Sequence, residues 1–408
     1  MKCRHCARIL QHPFLDLGFA PPSNAYLKAE DLHAQELYFP LKLHVCDQCW
    51  LVQTEDYARS DELFTGDYAY FSSTSSGWLQ HAKDYCDMIT DRLQLDADSF
   101  VIEVASNDGY LLKNFVEAGI QCMGIEPTDS TADAAERLGI EVRREFFGQS
   151  LAEQLVSEGL QADLILGNNV YAHVPDINDF TRGLECALKP GGTITLEFPH
   201  LLNLIRLNQF DTVYHEHYSY LSLYTVQHIL AAAGLRVFDV EQLPTHGGSL
   251  RMYACHEEDI RVTAEAVNAL LADESQAGLQ TLPVYLAFQR RADKVKNDLL
   301  TFLLEQKRAG KSVAAYGAAA KGNTLLNYAG IKPDLLPFVC DAAPSKQGKY
   351  MPGSHIPILT PGEIEKQKSD FVVILPWNIA DEIMRQNALV RDWGGKFVTA
   401  VPEMKIHE

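Results

Sequence analysis

Nine cysteines and fourteen histidines are distributed over 408 residues, and two groups of them are spaced for chemistry. Cys3 and Cys6 form one CxxC and Cys46 and Cys49 a second, with 39 residues between the pairs. A CxxC sets two thiolates on one tight knuckle, so that they occupy two corners of a tetrahedron, and a second knuckle supplies the other two. With all four corners protein and none open to water, the spacing predicts structural zinc, which stabilises a lobe of ~50 residues whose own core is small. His5 and His44 flank the knuckles and are alternative ligands, a weaker reading than the doubled cysteine pattern. Cys86, Cys122, Cys186, Cys255 and Cys340 fall in apolar segments without pattern and read as small buried hydrophobes.

The second group is Tyr214, His215, Glu216, His217 and Tyr218, inside a stretch where four of the histidines lie between positions 200 and 228. Three readings compete for it. Two histidines and a glutamate are a partial metal set, but spacing i, i+2 suits a strand or loop, and neither HExxH nor a third ligand is evident. A catalytic constellation is the second reading. A buried hydrogen-bonded cluster closing its lobe is the third.

The elements that must position these residues follow from pattern. The segment 13–45 alternates apolar and polar positions around Pro21 and Pro22, as short ribbon strands do, and a helix is expected over 77–93. FVIEVASNDG then reads as strand and tight turn, a helix follows, and GIQCMGIEP is the next strand, which opens a βαβ unit. Further strands are expected over 162–167 and at TITLEF, after a KPGG turn, with a helix over 180–188 between them. This alternation predicts a doubly wound α/β sheet whose ligands sit beyond the carboxyl ends of the strands.

At those ends stand Glu103, Ala105, Ser106, Asn107 and Gly109, then Glu126 and Pro127 of GIEP, then Asn168, Asn169 and His173. Glu126 is placed to accept both hydroxyls of a ribose. Glu103 beside the turn would repel a dinucleotide pyrophosphate, whereas S-adenosylmethionine carries a sulfonium and an ammonium that a carboxylate attracts. A single glycine in the turn also disfavours GxGxxG. The ordered set therefore reads as a class I methyltransferase lobe binding S-adenosylmethionine.

A mostly helical connector is expected over 263–308, interrupted at Pro283, and AYGAAAKG then opens a second Rossmann-like α/β lobe with strands near 337–341 and 371–375. Asp341 lies 24 positions after Gly317 and echoes a dinucleotide fingerprint, so an NAD-dependent sugar oxidoreductase is one rival function. Lys321, with Asn323 at a helix start, is a candidate for a substrate diphosphate, and Lys346 and Lys349 are alternatives. A non-enzymatic zinc-ribbon adaptor is the other rival. The formal charge of −19 argues against nucleic acid as a partner, and no run approaches the ~18 apolar residues of a membrane span. The N-terminal MKCRHC lacks the apolar core of a secretory signal, so a cytoplasmic location is expected.

The paired CxxC, EVASNDG, NNVYAHVPD, YHEHYSYLS, THGGSLR and AYGAAAKGNTLL occur in order along nearly the whole chain. Together they resemble the sugar C-methyltransferases of deoxysugar biosynthesis, which methylate carbon 3 of a nucleotide-linked 4-keto-deoxysugar. The resemblance implies a zinc-binding domain (1–65), a methyltransferase domain (66–255), and a helical connector with a C-terminal α/β domain lacking a dinucleotide (256–408), the nucleotide sugar lying between the last two. It implies His217 as base with Glu216 in support, Tyr214 as donor to an enolate oxygen, and His173 as a second candidate for base or stabiliser. Tyr68 and Tyr70 match tyrosines that close over cofactor or sugar. The chain departs from the commoner methyltransferase loop in carrying Ala105 where glycine is usual, which leaves less room beside the cofactor.

Overall fold

The structure, a computed structural model, describes residues 1–55, 72–74 and 76–408; Tyr68 and Tyr70 lie outside the described residues. The N-terminal ribbon comprises β1 (His12–Ala20), β2 (Phe39–Val45) and β3 (Val52–Thr54), consecutive antiparallel neighbours. Alternation decides which face is buried: Leu41, Leu43 and Val45 point into the core, while Lys42 and His44 between them are partly exposed.

The central sheet has seven strands. Its parallel part is β4 (Phe100–Val104), β5 (Gln121–Ile125), β6 (Glu141–Arg143), β7 (Ala162–Asn168) and β8 (Leu188–Pro199). Beyond a short β9 (Ser219–Tyr220) the chain returns as β10 (Leu235–Leu243) and β11 (Ser249–His256), and the spatial order is β10-β11-β8-β7-β4-β5-β6. Only β11 runs against its neighbours, pairing antiparallel with both β8 and β10. Val101, Ile102, Leu164, Ile165, Leu166, Ile194 and Leu196 are all fully buried, as strands covered on both faces require. KPGG is not the turn expected of it: β8 runs through Lys189 to Gly192 and the irregularity is a register shift against β7 between Ala162 and Leu164.

Helices Glu265–Gln276, Leu282–Leu286 and Phe288–Arg308 form the connector, Pro283 standing in the first turn of the second, where its missing N–H is harmless. The last lobe holds β12 (Val313–Tyr316), β13 (Val339–Cys340), β14 (Ile358–Leu359), β15 (Phe371–Ile374), β16 (Lys396–Thr399) and β17 (Lys405–His407), in spatial order β14-β13-β12-β15-β16-β17. All pairings are parallel except the terminal β16-β17 pair. Among the described residues no helix is long and apolar enough to cross a membrane.

Two features join the lobes. β9 belongs not to the central sheet but to the ribbon, pairing with β3 through Val52 with Tyr220 and Gln53 with Ser219. The segment that carries YHEH therefore ends as the fourth strand of the cysteine-bearing lobe. Glu274 of the connector is buried and accepts hydrogen bonds from His200 Nε2 at 2.7 Å and from the N–H groups of Leu223 and Tyr224 at 2.7 and 2.9 Å, so it satisfies the start of the helix Leu223–Ala231.

Candidate active site

The two cysteine knuckles are built alike. Ala7 N–H donates to Cys3 O and Trp50 N–H to Cys46 O, and both Ala7 and Trp50 adopt positive φ (61° and 62°), which turns each chain sharply after its second cysteine. The four sulfurs lie within 4.8 Å of one another, with Cys3 to Cys49 and Cys6 to Cys46 each at 3.5 Å. Tetrahedral zinc with Zn–S bonds near ~2.3 Å needs sulfurs about 3.8 Å apart, so the four residues fit that ion. Among the described residues this is the one group able to hold a metal; the His-Glu-His set forms none.

The residues expected to hold the cofactor gather at the carboxyl end of β4. Ala105 and Asn107 both take positive φ (57° and 51°), and Gly109 follows at 76° with Ile140 Cδ1 only 2.5 Å from where a Cβ would stand. Glycine is required at 109 by conformation and by space; Ala105 tolerates a conformation that glycine adopts at lower cost. Ser106 is buried, and Ala105 and Ser106 N–H both donate to Ile125 O, which pins the turn to the end of β5. Glu126 accepts from Asn107 N–H at 3.0 Å and, past Pro127, from Thr128 N–H at 2.9 Å, so its carboxylate braces the turn.

Glu103 lies one residue inside the strand rather than in the turn and is 1% exposed. Burial, with the charges of Asp108 and Glu126 added, pushes its carboxyl well above the ordinary range. Three acids thus converge where a cation would be held. Asp108, which the sequence reading did not single out, is 4% exposed and accepts Ser73 N–H at 3.2 Å, while Asn107 Oδ1 accepts Ser72 N–H at 3.0 Å. Asn169, φ 55°, follows β7 and donates its N–H to Glu197 O at 2.8 Å.

The two histidines meet. His173 and His217 have ring centroids 4.5 Å apart at 85°, and Tyr214 stands 4.8 Å from His217 at 69°. The turn from Tyr214 to His217 is closed by His217 N–H donating to Tyr214 O, and Tyr218 N–H donates to Ala172 O, which aligns the two histidine-bearing loops. Burial lowers the His173 pKa to about 4, opposed by a hydrogen bond with the Glu216 backbone. Burial keeps the Tyr214 phenol well above its ordinary range, and the charges of Asp211 and Glu216 add to the effect. His215 turns to the ribbon, whereas the Glu216 carboxylate stays near enough for its charge to act on Tyr214 and Tyr220. His215 Nε2 donates to Phe39 O in the ribbon, and the Asn24 amide donates to Glu216 Oε1 at 3.1 Å.

The last lobe packs against the segment that precedes Tyr214. Asp211 is fully buried and accepts Trp377 Nε1 at 2.8 Å; burial raises its pKa to about 6, against the pull of Lys321 and the indole. Lys321 Nζ lies 4.7 Å over the Trp377 ring and donates to Asn378 Oδ1 at 2.5 Å. Gly247 of THGGSLR (φ 90°) permits this contact, since a Cβ there would come within 2.6 Å of Trp377 Cη2. Tyr26 of the ribbon donates its hydroxyl to Ala318 O at 2.6 Å, and Lys346 Nζ donates to the same oxygen at 2.8 Å. Asp341 accepts the N–H groups of Ala318 and Ala343, both at 2.7 Å, and so braces its turn as Glu126 braces the first. Sequence reasoning missed Asn24, Tyr26, Asp211 and Trp377. None carries a motif, and each matters only because the lobes meet.

Fold and site define a class I methyltransferase lobe that would hold S-adenosylmethionine, joined to a four-cysteine zinc lobe and a second α/β lobe. Three family models match the chain in sequence: a zinc-binding domain over residues 3–64, a methyltransferase domain over 78–240, and a C-methyltransferase C-terminal domain over 244–402. The chain is 33% identical over 405 residues to the C-methyltransferase NovU of Streptomyces niveus, covering 99% of this chain and 96% of that one. Solved structures with partial overlap include an S-adenosylmethionine-dependent methyltransferase of Clostridium acetobutylicum (10% identity, 43% of this chain and 91% of that one, TM-score 0.36). Another is the 1,6-didemethyltoxoflavin-N1-methyltransferase of Burkholderia thailandensis (16% identity, 46% of this chain and 80% of that one, TM-score 0.34). The chain belongs to this C-methyltransferase family and is an S-adenosylmethionine-dependent enzyme.

Proposed function

We propose that the enzyme methylates carbon 3 of a nucleotide-linked 4-keto-deoxysugar through an enolate. The observation that carries this reading is the edge-to-face packing of His173 and His217 with Tyr214 on the second ring. A ring C–H is acidic only beside a carbonyl, so a base and an oxyanion donor must face the same substrate. His217 is the base. Tyr214 and His173 are neutral near pH 7, the first because its phenol is held protonated and the second because burial keeps it uncharged, and both donate toward the developing enolate oxygen. Glu216, fixed by Asn24, places negative charge near a histidine that becomes cationic. When bound, S-adenosylmethionine supplies an electrophilic methyl on a sulfonium; Glu103, Ala105, Ser106, Asn107, Gly109, Glu126, Pro127 and Asn169 line its site.

Lys321 is the candidate for the substrate diphosphate. Burial lowers the pKa of both Lys321 and Lys346, but the partners of Lys321 within contact, Asn378 Oδ1 and the Trp377 ring, are neutral, whereas Lys346 lies 3.8 Å from the Asp341 carboxylate. The test is hydrogen exchange. The enzyme is incubated in heavy water with S-adenosylhomocysteine and a panel of nucleotide-linked 4-keto-deoxysugars. One of them exchanges its carbon 3 hydrogen for deuterium, and His217→Ala abolishes the exchange. Retention of hydrogen at carbon 3 in every sugar contradicts the proposal.

A further inference from the structure

The first cysteine knuckle does more than close a metal site. Arg4 stands between Cys3 and Cys6, and its guanidinium reaches three backbone carbonyls on three different segments. Nε donates to Tyr218 O at 3.3 Å, one residue after His217. One terminal nitrogen donates to Pro175 O at 3.2 Å, two residues after His173, and the other to Thr54 O at 2.9 Å, at the end of β3. The guanidinium also lies 4.9 Å over the Tyr218 ring.

The root of this side chain is itself fixed. Arg4 N–H donates to Gln53 Oε1 at 2.9 Å, and the amide nitrogen of the same fully buried glutamine donates to Cys3 Sγ at 3.3 Å. Asn178 Nδ2 donates to the Arg4 and His5 carbonyls at 3.1 and 2.9 Å and so docks the knuckle on the first turn of the helix Ile177–Ala187, which follows the His173 loop. The loops bearing the two histidines touch each other through Tyr218 N–H to Ala172 O, and Thr54 Oγ1 donates to His217 O at 3.3 Å. A planar fork of five N–H donors suits three converging carbonyls, whereas an ammonium on a flexible stem is a single point of attachment.

We infer that Arg4 is a positioning residue that sets the relative placement of His173 and His217, so that the metal lobe fixes the geometry of the reaction centre from outside it. Arg4 acts through the backbone of both loops. The inference rests on the assignment of those histidines to the reaction, and the two are tested separately.

The experiment uses the full-length, zinc-loaded protein and the variants Arg4→Ala, Arg4→Lys and His217→Ala. Zinc content, S-adenosylmethionine affinity by calorimetry, kcat and KM with a nucleotide-linked 4-keto-deoxysugar, and histidine imidazole NMR signals are measured. In both Arg4 variants zinc content and affinity for S-adenosylmethionine stay within about two-fold, kcat falls at least ~10-fold with little change in KM, and the imidazole signals move. Millimolar guanidinium restores part of the kcat of Arg4→Ala. The inference is overturned by wild-type kcat and unmoved imidazole signals, or by losses of zinc and cofactor binding that run parallel to the loss of kcat. If Arg4→Ala does not fold, Arg4→Lys decides on the same measurements. Full turnover in His217→Ala removes the histidine assignment whatever the Arg4 variants do; an inactive His217→Ala beside unaffected Arg4 variants removes the positioning role alone.

Discussion

The rings of His173 and His217 pack edge to face at a centroid separation of 4.5 Å, although the two side chains arise from different loops, one after β7 and one before β9. Burial lowers the His173 pKa to about 4, so that ring is neutral near pH 7. In the proposed reaction it is the neutral partner and His217 the base. His217→Ala and Tyr214→Phe should each lower turnover by roughly 10²-fold or more while calorimetry shows near wild-type affinity for S-adenosylmethionine. Wild-type rates in both variants would end this assignment.

Glu103 gives the cofactor site a proton signature. Its carboxyl is pushed well up by burial and by Asp108 and Glu126, so the cofactor-free protein holds it protonated to higher pH than an ordinary glutamate. A bound sulfonium and ammonium favour the ionised form, and binding therefore releases a proton and tightens as pH rises through that raised range. Calorimetry in buffers of different ionisation enthalpy should show this release in the wild type and not in Glu103→Gln. Equal proton release in both excludes Glu103 as the source.

Burial of the Asp211 carboxyl makes stability depend on pH. A carboxyl raised to about 6 in the folded protein, against ~3.9 when unfolded, stabilises the fold fully below pH ~4, and that contribution is lost as pH rises through 6. Asp211→Asn keeps an oxygen for the indole and does not titrate. Urea unfolding at pH 8 should show the variant more stable than wild type by about 1–3 kcal/mol, with the difference shrinking toward pH 4. A variant less stable at pH 8 would show that the carboxylate is stabilised there by Lys321.

Metal removal should be felt at the histidines. Because β9 completes the ribbon sheet, chelation of zinc is expected to raise amide exchange in Val52–Thr54 and in Ser219–Tyr220 together, and to abolish turnover. Loss of protection confined to the first strand pair would break that link.

Ala105 carries a left-handed backbone conformation at a cost glycine does not bear. Ala105→Gly should raise stability by ~0.5–1 kcal/mol, the relief of strain exceeding the entropy glycine adds to the unfolded chain, without weakening cofactor binding. Lower stability would mean that the methyl contributes packing the strain does not outweigh.

Much of this was legible in the chain. The doubled CxxC, the strand before Asn107 and the second acidic strand end at Glu126 each depend on local order, because two cysteines on a knuckle or an acid after a strand are placed by a few neighbouring residues. What stayed hidden is long-range. Asn24 meets Glu216, Tyr26 meets Ala318, and Trp377 meets Asp211 only after three lobes have packed, and no periodicity announces such contacts. KPGG departs from a turn for a local reason: glycine and proline mark a bulge inside a long strand as readily as a turn.

The central claim is a carbon nucleophile raised beside a ketone and next to the methyl donor. The most direct measurement incubates the enzyme with methyl-¹³C S-adenosylmethionine and nucleotide-linked 4-keto-deoxysugars, followed by mass spectrometry and carbon NMR of the product. The account predicts one labelled methyl bonded to carbon 3 and stable to acid hydrolysis. A label on oxygen or nitrogen, or no labelled sugar across the panel, would contradict it.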